Sequence, residues 1–191
     1  LSALTAVEQA IDTLQISRGN PGLKTYSVYN NNFNYSYNVG KFIAMLAANY
    51  SFHHHPIMEE LSVEGNRLIV MQANQRSYQV LNIAPTVVLR GLDLFGLKNF
   101  ATLSLECGLN SYWSRGRTYS HTYRNVYYNA QFMMQYKRFA LMGQLRKSSD
   151  YLKGETVFKG ENITVLMATW SHKRLQLGAG ILFPFVNNYH T

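Results

Sequence analysis

The chain has 191 residues, with 18 Lys and Arg against 10 Asp and Glu, and one cysteine. That length suits one domain or a piece of a larger one, and the lone Cys107 excludes a disulfide-rich scaffold. A hydrophobic share of 47% with only 15% charged residues excludes disorder, and no apolar run reaches the roughly 18–20 residues of a spanning helix.

Residues Leu1–Gln15 carry scattered apolar positions (Leu1, Leu4, Ala6, Val7, Ala10, Ile11, Leu14) and read as loop with one short helical piece. Ser17-Arg18-Gly19-Asn20-Pro21-Gly22 then breaks any periodicity, because Gly, Asn and Pro favour turns. Residues 1–24 are therefore a lead-in, and 25–191 one partial β domain. From Thr25 the period is 2. Strand patterns cover 25–37, 41–54, 76–90, 99–113, 122–136, 138–149, 162–171 and 175–183. A smaller hairpin turns at Glu64-Gly65-Asn66. The connections alternate: 38–41, 91–98, 136–138 and 172–174 are short, while 55–75, 114–121 and 150–161 are long. That rhythm is the signature of an antiparallel up-and-down β-barrel with one clipped end and one decorated end.

One face of each strand is apolar. It carries Phe42, Ala44, Leu46 and Ala48; Leu81, Ile83, Pro85, Val87 and Leu89; Leu103, Leu105, Cys107 and Leu109; Val126, Tyr128, Ala130 and Phe132; Leu141, Gly143 and Leu145; and Leu175, Leu177, Ala179 and Ile181. The other face is small and amide-rich: Asn49, Asn82, Ala84, Thr86, Thr102, Ser104, Glu106, Gly108, Asn129, Gln131, Gln135, Gln144, Gln176 and Gly178. A water-exposed surface would carry about 25–35% charged residues, and among these positions only Glu106 is charged. It suits a hydrated lumen, with Asn82, Thr86, Glu106, Asn129, Gln131 and Gln144 as lumen-facing candidates and the apolar face toward lipid. Aromatic rings and basic residues gather at both strand ends, as in the girdles of a transmembrane barrel. The spread of the +8 charge over both rims speaks against a nucleic-acid partner.

Little chemistry is written into the chain. His53 and His55 share a strand face on this reading, but two ligands do not fix a metal, and none is expected. Glu106 is expected to pair with Arg90 or Arg146. Ser120, His121 and Asp150 supply triad elements without a catalytic motif, so no enzyme and no cofactor are expected. Cys107 on the apolar parity behaves as a small hydrophobe.

Ser17-Arg18-Gly19-Asn20-Pro21-Gly22-Leu23-Lys24 followed by a Tyr-rich strand resembles the GNP-x-L-K junction of TonB-dependent receptor barrels. Gly40-Lys41-Phe42, His55-Pro56-Ile57 and Gly180-Ile181-Leu182-Phe183-Pro184-Phe185 add matching pieces, and the likeness covers most of 17–185. The chain departs from the pattern in having Thr25-Tyr26 where the family has Pro and an acidic residue. It ends Asn188-Tyr189-His190-Thr191 rather than in the family's terminal aromatic, and no signal peptide is visible. The resemblance implies an outer-membrane location, lipid contact, a plug domain, TonB as partner, and uptake of a scarce ligand that the residues do not name. About eight long strands are too few for such a barrel, so a wall fragment is expected. A small self-closing barrel (pore, adhesin or scaffold) and a soluble β-barrel binding a hydrophobic ligand are the alternatives.

Overall fold

The computed structural model describes residues 8–182, and among them every regular element is a strand. Two short strands come first, β1 (Glu8–Ala10) and β2 (Gln15–Arg18). The expected helical piece is therefore absent from 8–15; its beginning, Leu1–Val7, lies outside the described residues. The turn between β1 and β2 is tied by Asp12, whose carboxylate accepts from the main-chain N–H groups of Leu14 and Gln15. Asp in a local side-chain-to-backbone bond favours a turn over a helix.

The body of the molecule is one sheet of eight antiparallel strands. In chain order these are β3 (Ser27–Val39) and β4 (Phe42–His54), then, after the hairpin β5 (Ile57–Glu64) and β6 (Arg67–Asn74), β7 (Ser77–Leu94), β8 (Leu97–Arg115), β9 (Ser120–Tyr136) and β10 (Phe139–Lys147). A small hairpin, β11 (Tyr151–Lys153) and β12 (Thr156–Phe158), precedes β13 (Ile163–His172) and β14 (Leu175–Leu182). The spatial order is β14-β13-β10-β9-β8-β7-β4-β3, an up-and-down meander. The sheet is open: β3 and β14 are its two edges, and no closed barrel forms among the described residues. Phe183 to Phe185, part of the last sequence motif, lie outside them.

The clipped end is built from two-residue turns. Each opens on a residue with positive φ: Gly40 (54°), Phe95 (55°), Lys137 (51°) and Lys173 (53°). Phe95 is followed by Gly96 at 74°, the double positive φ of a turn that matches the strand twist. The expected loop over 91–98 contracts to this pair, because the ladder continues through Leu92↔Ala101 and Leu94↔Leu97 with register shifts. The other end carries the decoration. The β5–β6 hairpin joins β1 and β2 in a second sheet of order β1-β2-β6-β5. Its β2–β6 pair is parallel, the one departure from antiparallel pairing among the described strands.

Buried apolar side chains are few, and most sit at the decorated end: Met58, Ile69, Ala73, Tyr112 and Leu152. The apolar face of the large sheet is not a core. Leu103, Leu105, Leu109, Val126, Leu145 and Ile181 are all exposed.

Candidate functional site

The amide-rich face follows from register. Antiparallel partners directly opposite each other share a face, so constant offsets stack like residues into rows across the sheet. The pairs Asn32↔Asn49, Asn49↔Asn82, Asn82↔Asn110 and Asn110↔Asn125 form one row of asparagines over five strands, β3, β4, β7, β8 and β9. Asn49 Nδ2 donates to Asn82 Oδ1 at 3.5 Å, and Asn82 Nδ2 to Asn110 Oδ1 at 2.6 Å. Asn110 Nδ2 donates to Ser149 Oγ, and Asn125 Nδ2 to the Asp150 carbonyl. Ser149 Oγ reaches Asn125 Oδ1 at 3.1 Å. The amides at the β8–β9 end thus accept the loop after β10.

That loop is held from several directions. The Tyr78 hydroxyl donates to the Leu152 carbonyl at 2.6 Å, and the Leu152 side chain is 1% exposed. Asp150 accepts from the Tyr123 hydroxyl (2.8 Å), from Lys159 Nζ (2.9 Å) and from the Gly160 N–H (2.9 Å). Lys159, the Gly160 amide and Tyr123, in that order, hold the Asp150 carboxyl well below the usual carboxylate range. Asp150 in turn raises the Lys159 ammonium. The β5–β6 hairpin is tied down separately. Arg117 pairs with Glu60 at 2.7 Å, and Arg18 bridges Glu8 and Glu64, each at 2.7 Å. Glu64 is lowered chiefly by its bond to Arg18.

The six lumen candidates all lie on this face. Asn82 is the middle of the asparagine row and also reaches the Tyr127 hydroxyl at 3.1 Å. Two rows nearer the clipped end, Thr86, Glu106 and Asn129 stand side by side, with Arg146 next in line. Asn129 Oδ1 accepts from Gln144 Nε2 at 2.9 Å and from Gln131 Nε2 at 3.4 Å. Glu106 has no ion-pair partner among the described residues, neither Arg90 nor Arg146. Thr86 and Glu106 border an open cavity of about 310 Å³ with Asn34, Ser36, Met45 and Ala84.

The histidine pair does not form the shared face. His55 lies beyond β4 at φ 54°, so the strand alternation stops before it. Its ring packs on His54 at 4.0 Å, while His53 Nε2 bonds Ser51 Oγ at 2.9 Å. No group of three or more metal-ligating side chains occurs among the described residues. The triad elements also stay apart: Asp150 bonds Tyr123 and Lys159, and His121 stacks on Tyr119 at 5.3 Å. Cys107 is exposed on the apolar face.

Asn32, Asn110 and Asn125 are the site residues that sequence reasoning passed over. The signal was the total of 17 Asn with one at matching depth on each of five successive long strands. Fold and site define an all-β protein with an open amphipathic sheet, one face apolar and exposed, the other amide-lined and covered by loops at one end. No family model, curated protein or solved structure matches the chain.

Proposed function

We propose that this chain is part of the wall of an outer-membrane β-barrel of the TonB-dependent-receptor type. On this reading its amide face lines the lumen, its decorated end meets the outside, and its apolar face meets lipid. One observation carries the reading. On β8 the apolar positions Leu103, Leu105 and Leu109 are exposed, while on the other face Gly108 is buried beneath the Tyr127 ring, and Asn110, Tyr112 and Ser114 are buried toward the decorated end. A water-soluble sheet buries the opposite face. The apolar stretch from Ala101 to Leu109 runs about 27 Å along the strand, and at a barrel tilt of 35–45° it rises about 20 Å. A lipid-facing band is of that order, about 25 Å. The family and its energy-coupled uptake rest on the Gly19–Lys24 motif and its companions.

The open edges speak for a larger parent barrel rather than a small closed one. Closure of this chain on itself requires β3 to pair with β14, and the described residues leave both edges free.

Adjacent residues on opposite faces supply the test. Leu105 and Ser104 are neighbours in β8, with Leu105 opposite Val87 and Ala130. In the native protein, Leu105→Lys is expected to cost about 2–4 kcal/mol near the bilayer midplane and to deplete the protein from outer-membrane fractions. Ser104→Lys, facing water, is expected to leave its level there unchanged. Equal recovery of both variants, or recovery of the wild type only as a soluble protein, overturns the lipid-face assignment.

A further inference from the structure

The Gly19–Lys24 motif builds a cavity that the wall reading leaves unused. An open space of about 530 Å³ is lined by Asn20, Gly22, Lys24, Thr25, His55, Asn74 and Arg117. Its frame is fixed by amides. Asn20 Nδ2 donates to the Gln72 carbonyl at 3.0 Å, and its Oδ1 accepts the Gly22 N–H at 2.9 Å. Asn74 Oδ1 accepts the Lys24 N–H at 2.8 Å, and its Nδ2 donates to the carbonyls of Lys24 and His55, both at 2.9 Å. One side chain thus clamps the chain entering β3 to the chain leaving β4.

The groups not consumed by this frame are basic. Lys24 has no ion pair among the described residues. Arg117 spends Nε and Nη2 on Glu60, at 3.1 and 2.7 Å, and keeps Nη1. The His55 Nδ1–H donates to the Gln75 carbonyl at 3.3 Å, which leaves Nε2 as the ring's second polar atom. No carboxylate lines the cavity. Counting Glu60 against Arg117, the site keeps the full charge of Lys24.

We propose that Lys24, His55 and Arg117 form an anion site for a phosphate-class group. A tetrahedral anion has several acceptor oxygens and can meet donors from different connecting segments, and a lysine ammonium beside the remaining Nη1 of Arg117 is suited to it. The site stands apart from the barrel reading, since its charges and its amide frame are the same in or out of a membrane. The group could be carried by a lipid headgroup or by a soluble phosphate.

The full chain, kept folded in detergent or buffer, is titrated at low salt with inorganic phosphate and, separately, with phosphatidylcholine vesicles containing phosphatidic acid. Plain phosphatidylcholine vesicles are the control. Saturable binding in either arm is expected, and the arm that binds names the source. Lys24→Gln is expected to weaken it at least about tenfold, the scale of one lost hydrogen bond to a charged group. Lys24→Glu is expected to abolish it, and Lys41→Gln at the clipped end to leave it unchanged. The Lys24 variants keep the main-chain bonds to Asn74, and circular dichroism matching the wild type checks that they fold. Absence of saturable binding in both arms, or equal binding by wild type and Lys24→Glu, overturns the site.

Discussion

Gly108 shows how much one hydrogen atom decides on this sheet. The Tyr127 ring lies across it, and a Cβ there would stand 2.0 Å from Tyr127 Cζ. The close approach carries the Tyr127 hydroxyl over β8 to Asn82. Gly108→Ala must push the ring aside and break that bond, so we expect a loss of about 1–3 kcal/mol in denaturant unfolding. The cost should shrink when Tyr127→Ala is already present, and simple additivity of the two changes would refute the contact. Gly143 repeats the arrangement on the apolar face, beneath Phe132 at 2.1 Å. The turns offer an opposite test. Lys173 holds φ 53° without being glycine, a conformation that costs an L-residue about 1–2 kcal/mol. Lys173→Gly is therefore expected to raise the unfolding midpoint.

At the scale of elements, the loop between β10 and β13 is the part whose hold depends on pH. The lowered carboxyl of Asp150 gives stability that is complete above its unfolded pKa of about 4 and is lost as pH falls through the depressed value. The raised ammonium of Lys159 gives stability that is complete below its unfolded pKa of about 10.4 and is lost as pH rises through the elevated value. Hydrogen exchange over 148–160 should therefore stay slow near neutrality and quicken, relative to the rest of the sheet, below about pH 4. Asp150→Asn should remove that acid response; an unchanged response would assign the latch to other groups. The strands were legible in the sequence because period 2 survives in nearly every one of them, even around Pro85. The β11–β12 hairpin was not, since Tyr151–Lys153 and Thr156–Phe158 are three residues each and too short to show a period. The lead-in was misread because Ile11 and Leu14 have a helical spacing while Asp12 closes a turn. The asparagine row was hidden for another reason: single-strand patterns give the face of each residue, and only the turn lengths give its depth relative to the next strand.

At the scale of the molecule, the edges matter most. All of β3 is exposed, and half of its N–H groups point away from β4. Such an edge pairs with whatever strand it meets. In the isolated chain, alternate amides of β3 should exchange fast. In a parent barrel they should all be protected, and a uniform pattern in the isolated chain would mean that the edge is already covered. Strand length adds a further consequence. β7, β8 and β9 have 18, 19 and 17 residues, whereas β10 and β13 have 9 and 10. With about 3.4 Å per residue and a tilt near 40°, the first group rises about 45 Å and the second about 25 Å. In a membrane, the rim would be a parapet that drops by some two-thirds of a bilayer's thickness within a few strands, at the flank where the β11–β12 hairpin begins. A solute would then enter obliquely over the low flank, and the tall strands would act as a backstop rather than as a collar.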